Sequence, residues 1–253
     1  MPIQITSQFF DRIYIMISSN VYIKKISKRG KINIWLVDGA EVRKHDNEFT
    51  NFGEHYGFSF IPEFEFWLDK ETVPNERTFF IDHLLVEWDL CRKGVEFDKA
   101  LEMGDAKEEV ERVKAGDLKK VYDKKGNVQL KHLHKKNMGN TNNSVYVWVI
   151  DGRLVRSGLF IDFVHGGHGY VYEFVPIEEV WLDDDLVYEE LPFVLIHELH
   201  ERNLMKDKNW NYAKAHESAS KLEWKLRHNR KGVIKELQKL ECSRELVSQL
   251  LNL

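Results

Sequence analysis

Hydrophobic positions along this chain alternate in two registers, and the sequence passes from one to the other twice. The runs Ile32–Val37 and 145–150 are short, rich in β-branched and aromatic residues, and end at Asp38-Gly39 and Asp151-Gly152. That pattern predicts a strand closed by a turn. A glycine-containing turn follows in both places, then strands over 58–61 and 170–175 that stop at Pro62 and Pro176. Strands over 64–68 and 179–182 come next. The apolar spacing then lengthens from two to between three and four, which predicts a pair of helices. In the later passage they run from about 192 to 205 and from about 211 to 227. The apolar run 13–17 predicts an earlier strand, and 231–252 predict one or two amphipathic helices packed on the body.

The two passages are copies of each other. Shifted along itself by 113 to 115 residues, the chain matches Val42-Arg43 with Val155-Arg156 and Gly53 and His55 with Gly166 and His168. Phe60, Pro62, Glu65, Trp67 and Asp69 meet Phe174, Pro176, Glu179, Trp181 and Asp183. His83, Glu87, Glu108 and Arg112 meet His197, Glu201, Glu223 and Arg227. Tryptophan and proline are rare, and their matching in order points to duplication rather than shared composition. The expected architecture is α+β, a tandem pseudo-repeat, each copy a small antiparallel sheet followed by a helical hairpin. The expected segments are an N-terminal strand segment (1–31), repeat 1 (32–113), a linker (114–144), repeat 2 (145–228) and C-terminal helices (229–253). The linker holds eight lysines against two aspartates, a small hairpin at 123–127 and an Asn-rich tail read as mobile.

Composition narrows the class of protein. The chain has 253 residues, 43% of them hydrophobic and 31% charged, enough for a real core without staples. A net charge of −4 offers no basic field for nucleic acid or an anionic membrane. The two cysteines, Cys91 and Cys242, form no metal pair and no disulfide framework. The early apolar run is too short to span a bilayer. These features lead us to expect a cytoplasmic protein.

The chemistry concentrates on the first helix of repeat 2. Residues three or four apart share a helix face, so Val194, His197, Glu201 and Leu204 form one stripe with apolar ends. A buried imidazole and carboxylate need partners. The next helix offers His216 and Glu223 on a face that also carries Ala215 and Ala219, small enough for close approach. An antiparallel hairpin brings His197, Glu201, His216 and Glu223 together. Two histidines and a carboxylate suit zinc and leave one position open for water. Glu198, next to the first ligand, is then placed as general base. Repeat 1 has Leu84 at the position of Glu198 and Leu101 at that of His216, so it is expected to be a degenerate copy. A buried His–Glu bridge between helices, with no metal, is the competing reading.

Of the weaker features, His165-Gly166-Gly167-His168-Gly169 reads as a tight turn, or as the source of a further ligand. Glu179 and Glu65 read as orienters of a metal-bound histidine or as ion-pair partners. Trp67 and Trp181 read as core.

The set His197-Glu198-x-x-Glu201 followed by His216 resembles the HExxH metallopeptidases of the zincin superfamily, in the branch whose third ligand lies on the next helix. Here Glu201 stands where that family has its second histidine, and His216 where it has glutamate. The longer pattern, Pro176-x-x-Glu179-x-Trp181-x-Asp183 with HExxE and Ala215-His216, is also similar to uncharacterised bacteriophage proteins. The resemblance implies a zinc-dependent peptidase acting on a protein or peptide, with His197, Glu201 and His216 as ligands and Glu198 as base, encoded by a phage or mobile element. The alternative is a non-catalytic phage structural or host-interaction protein.

Overall fold

The computed structural model describes residues 21–142 and 144–252, and the strand expected over 13–17 lies outside them. The chain divides into two compact units after Ala115. The first contains β1 (Tyr22–Arg29), β2 (Ile32–Val37), α1 (Gly39–Val42), β3 (Phe52–Gly53), β4 (Glu65–Asp69), α2 (Arg77–Arg92) and α3 (Phe97–Ala115). The second opens with two single-turn helices, α4 (Leu118–Val121) and α5 (Leu130–Leu133). It then repeats the order with β5 (His134–Asn140), β6 (Tyr146–Ile150), α6 (Gly152–Gly158), β7 (Gly166–His168), β8 (Glu179–Asp183), α7 (Leu191–Lys208) and α8 (Tyr212–His228). The short helices α9 (Val233–Lys239) and α10 (Arg244–Leu251) follow.

Each unit carries a four-stranded sheet backed by a helical hairpin, as the tandem-repeat reading expects. The strand orders are β1-β2-β4-β3 and β5-β6-β8-β7. The sheets are mixed: the central pairs β2–β4 and β6–β8 run parallel and the outer pairs antiparallel. The short helix between the central strands is part of the crossover that a parallel pair requires. It starts where a turn was expected, because Asp38 and Asp151 act as N-caps. Their carboxylates accept the N–H of Glu41 at 3.4 Å and of Leu154 at 3.0 Å. The glycine after each cap lets the chain press on a buried aspartate: a Cβ at Gly39 would lie 1.6 Å from Asp69 Oδ2.

Two further expectations are corrected. Residues 58–61 and 170–175 are turns, not strands; the sheet edge is formed earlier, by β3 and β7. Their alternating aromatics pack instead around the core tryptophans, Phe60 on Trp67 and Phe174 on Trp181. The segment read as a linker is structured. The hairpin at 123–127 is present, with the Asp123 N–H bonded to Asn127 O at 2.9 Å. Its Asn-rich tail, however, begins as β5, the counterpart of β1. Both outer strands carry two register irregularities at the same two steps, and both start with a side chain bonded to the repeated glutamate. Tyr22 donates to Glu65 at 2.7 Å, and His134 Nε2 lies 2.9 Å from Glu179. Lysines on edge strands discourage pairing with other chains, and those of β5 made it read as polar linker.

The main core of the second unit packs Phe193, Leu195, Ile196 and Leu199 of α7 against Val147, Val180 and Leu182 of the sheet. Leu237, Leu246 and Leu250 of α9 and α10 complete it, as the amphipathic reading expects. This packing fixes the rotation of α7, and with it the direction of the stripe that carries His197 and Glu201. Among the described residues no helix is long and apolar enough to cross a membrane.

Candidate metal centre

Helix α7 ends at Asn209, whose left-handed backbone (φ 51°) turns the chain, and Asn211 caps α8 by accepting the Lys214 N–H at 3.1 Å. Only residues 209–211 separate the helices, so they pack antiparallel. Ala215 and Ala219 are fully buried at their contact. His197, Glu201 and His216 meet there. His197 Nε2 lies 3.1 Å from His216 Nδ1, His216 Nδ1 lies 2.9 Å from Glu201 Oε2, and His197 Nε2 lies 3.7 Å from Glu201 Oε2. These are the three residues expected as ligands, and the structure brings all three together.

The three ligand atoms are close enough together to hold a metal ion. Four donors bonded tetrahedrally at about 2.0 Å stand about 3.3 Å apart. The three residues form a donor set whose ligand atoms lie within 4.8 Å of one another. His216 is the most exposed of them, with 35% of its side chain accessible.

Each donor is held from behind. His197 Nδ1 lies 2.8 Å from Glu223 Oε2, which selects the tautomer that aims Nε2 into the triangle. Glu223 also accepts from Arg227 at 2.7 Å, and Arg227 reaches the buried Glu190 at 2.8 Å. Burial would lower the His197 pKa, but its bonds to Glu201 and Glu223 outweigh that and hold it at about 10. Burial opposes ionisation of Glu201 too, and its three histidine partners hold its carboxyl well below the usual range.

His168 is the third of those partners. It is fully buried on β7, and its Nε2 lies 3.1 Å from Glu201 Oε1. Its Nδ1 accepts the Tyr170 N–H at 3.3 Å, which leaves the proton on Nε2 to be donated to Glu201. His168, Glu198 and Glu201 form a second set of close donor groups. The Nε2 proton makes His168 an orienter of Glu201 in this arrangement, not a ligand. A third set, Asp183, Asp184 and Asp185, is already paired with Arg156 and Lys135.

Glu198 points off the buried stripe. It is half-buried, makes no hydrogen bond or ion pair among the described residues, and has its pKa raised by burial. Gly166 lets β7 pass close beside it, since a Cβ there would lie 3.1 Å from Glu198 Cγ and 2.9 Å from Trp181 O. His200 turns away and pairs with Ser218 at 3.0 Å. Glu179 stays with Trp181 and His134 and does not reach His197, so of its two expected roles only the ion-pair partner stands.

Repeat 1 keeps the frame and two of the donors, His83 and Glu87, and lacks the third and the base. His83 lies 3.4 Å from Glu87 and 3.2 Å from Glu108, Arg112 links Glu108 to Glu76, and the histidine is pushed up to about 9 against the effect of its burial. The register of the edge strands changes one pairing. Gly53 and Gly167 both face the tryptophan of the neighbouring strand, so Glu54, and not His55, stands where His168 does. Burial, together with a hydrogen bond shared with Glu87, raises Glu54 to about 8.

Comparison with known proteins gives no match: no family model, no curated protein and no solved structure corresponds to this chain.

Proposed function

We propose that the second repeat is a metal-dependent hydrolase centre, with zinc as the metal and a peptide bond as the substrate class. The observation that carries this reading is the triangle of His197 Nε2, Glu201 Oε2 and His216 Nδ1, with sides of 3.1, 2.9 and 3.7 Å. Those atoms would hold the ion. When bound, zinc polarises a carbonyl and acidifies a water molecule. Glu198 takes the proton of the attacking water and passes it to the departing nitrogen. Glu223 and His168 hold His197 and Glu201 in the orientation the ion needs. The peptide follows from the resemblance of His197-Glu198-x-x-Glu201 and His216 to the zincins.

Two substitutions of the same chemistry, three residues apart, test it. Glu198→Gln leaves folding and bound zinc intact and lowers turnover of a quenched-fluorescence peptide pool by at least ~10²-fold. Glu201→Gln loses zinc. Equal behaviour of the two variants would sink the proposal.

One observation favours a second reading, a non-catalytic phage structural or host-interaction protein in which these residues only bridge helices. Repeat 1 retains His83, Glu87, Glu108, Arg112 and Glu76 as a buried network without the third ligand or the base. Under that reading Glu198→Gln is silent, and no preparation contains zinc.

A further inference from the structure

We infer that the helical hairpin of repeat 1 is a docking surface for a second copy of this chain, the two joined about a twofold axis with α3 of each copy seated against α2 of the other.

The two repeats differ in what covers their hairpins. In repeat 2 the chain runs on past α8, and α9 and α10 pack back over it, where Leu237, Leu246 and Leu250 join the core of Val145, Ile196 and Leu199. Their connection is fastened to β5 by the Ser243 N–H, which donates to Asn140 O at 3.1 Å. In repeat 1 the chain leaves the hairpin at Ala115, where the second unit begins. The counterparts of Val145 and Leu199 are Ile32 and Leu85, and with Val86 and Met103 they line an open groove. That groove lies in the place that α9 and α10 fill in repeat 2.

Two substitutions decide what the groove can accept. Repeat 2 has Ile196 and Leu222 under its covering helices, and repeat 1 has Asp82 and Lys107 at those positions, both lining the groove. A leucine face like that of α9 and α10 would bury the two charges without partners, which is costly. The occupant must therefore bring a base to Asp82 and an acid to Lys107. The Asp82 carboxylate makes no hydrogen bond or ion pair among the described residues. Lys107 pairs with Glu111 one turn along α3, a partly exposed pair worth little by itself.

A second copy meets both demands at once. Contacts about a twofold are reciprocal, so Lys107 of each copy meets Asp82 of the other. The stripe that carries Lys107 suits the seat. Met103, Lys107, Val110 and Lys114 follow one another at spacings of four, three and four, and so share one face of α3. Met103 and Val110 are 47% and 50% exposed, large apolar side chains that the fold of one chain leaves in water. Seated against the other copy, they cover Ile32 and Leu85 there while the lysine reaches the aspartate.

Sedimentation velocity of the full-length chain from about 1 to about 100 µM tests this. The wild type is expected to dimerise in that range. Met103→Glu, at an exposed position, keeps the Tm and weakens the dimer at least about tenfold. Asp82→Lys and Lys107→Glu, each alone, set like charges against each other at both contacts and lose the dimer. Mixed in equal amounts, these two variants pair with each other as the wild type does, because each supplies the charge the other needs. A wild type that stays monomeric at about 100 µM overturns the inference and leaves the groove to a different protein or to another segment of this chain. A dimer that all three variants leave unchanged, or charge variants that do not recover on mixing, overturns it as well.

Discussion

At the scale of single residues, what distinguishes this centre is that both oxygens of Glu201 are engaged, and by different partners. Oε2 faces His216 and His197, while Oε1 accepts from His168. A carboxylate so held has little freedom to rotate away from an ion. His168→Ala is therefore expected to weaken zinc binding about 10–100-fold, the usual cost of losing an orienting partner. His168→Gln, whose amide still donates a proton, should recover part of it. Competition with a chromogenic chelator measures both variants, and equal affinities for the alanine and glutamine forms would assign His168 to packing alone. The four proposed site residues were legible in the sequence because helical periodicity converts spacing into direction: positions 197 and 201 share a face, and 198 is rotated off it by about 100°. His168 was legible only as part of a glycine-rich turn that could supply a further ligand, since that edge has no period to fix its direction. There, matching by residue type aligned His168 with His55, one position away from its true counterpart, Glu54.

At the scale of elements, buried arginines tie the helices and strands of each repeat together. Arg227 joins α8 to Glu190 at the start of α7, and Arg112 does the same for Glu76. Arg43 and Arg156 join their short helices to Asp69 and Asp183 after the central strand. Removing one arginine strands its carboxylates in the core. Arg227→Ala should cost about 3–5 kcal/mol, read from the urea midpoint, and an exposed substitution such as Lys221→Ala should cost little. Glu54 gives a pH test. Burial and Glu87 raise its folded pKa to about 8, against an ordinary 4.5. Its contribution to stability is complete at pH 4.5 and below, and fades as pH rises from there through about 8. Glu54→Gln cannot ionise, so its Tm should match wild type near pH 4 and exceed it by roughly 10 °C near pH 8.5, at about 1.4 kcal/mol per pKa unit and roughly 2–4 °C per ~1 kcal/mol. A Tm difference that does not change with pH would contradict that. Helices α7 and α8 and strands β2, β4, β6 and β8 could be read from the sequence because they are buried and strongly patterned. β1 and β5 hid behind their lysines, and the parallel pairing of the central strands depends on long-range contacts that local pattern does not encode.

At the scale of the whole molecule, the chain carries one frame twice and equips it once. Repeat 1 keeps the buried histidine, both carboxylates and the arginine behind them, and places leucine at the positions of Glu198 and His216. The duplication was plain in the sequence from rare residues matched in order. Its true start, one strand earlier in each copy, emerged only from the shared irregularities of β1 and β5. The account therefore requires an asymmetric stoichiometry, and zinc content measured by elemental analysis after dialysis tests it most directly. One equivalent of zinc per chain, lost in His216→Ala and unchanged in His83→Ala, is the predicted result. No zinc in the wild type, or an equivalent that survives His216→Ala, would contradict it.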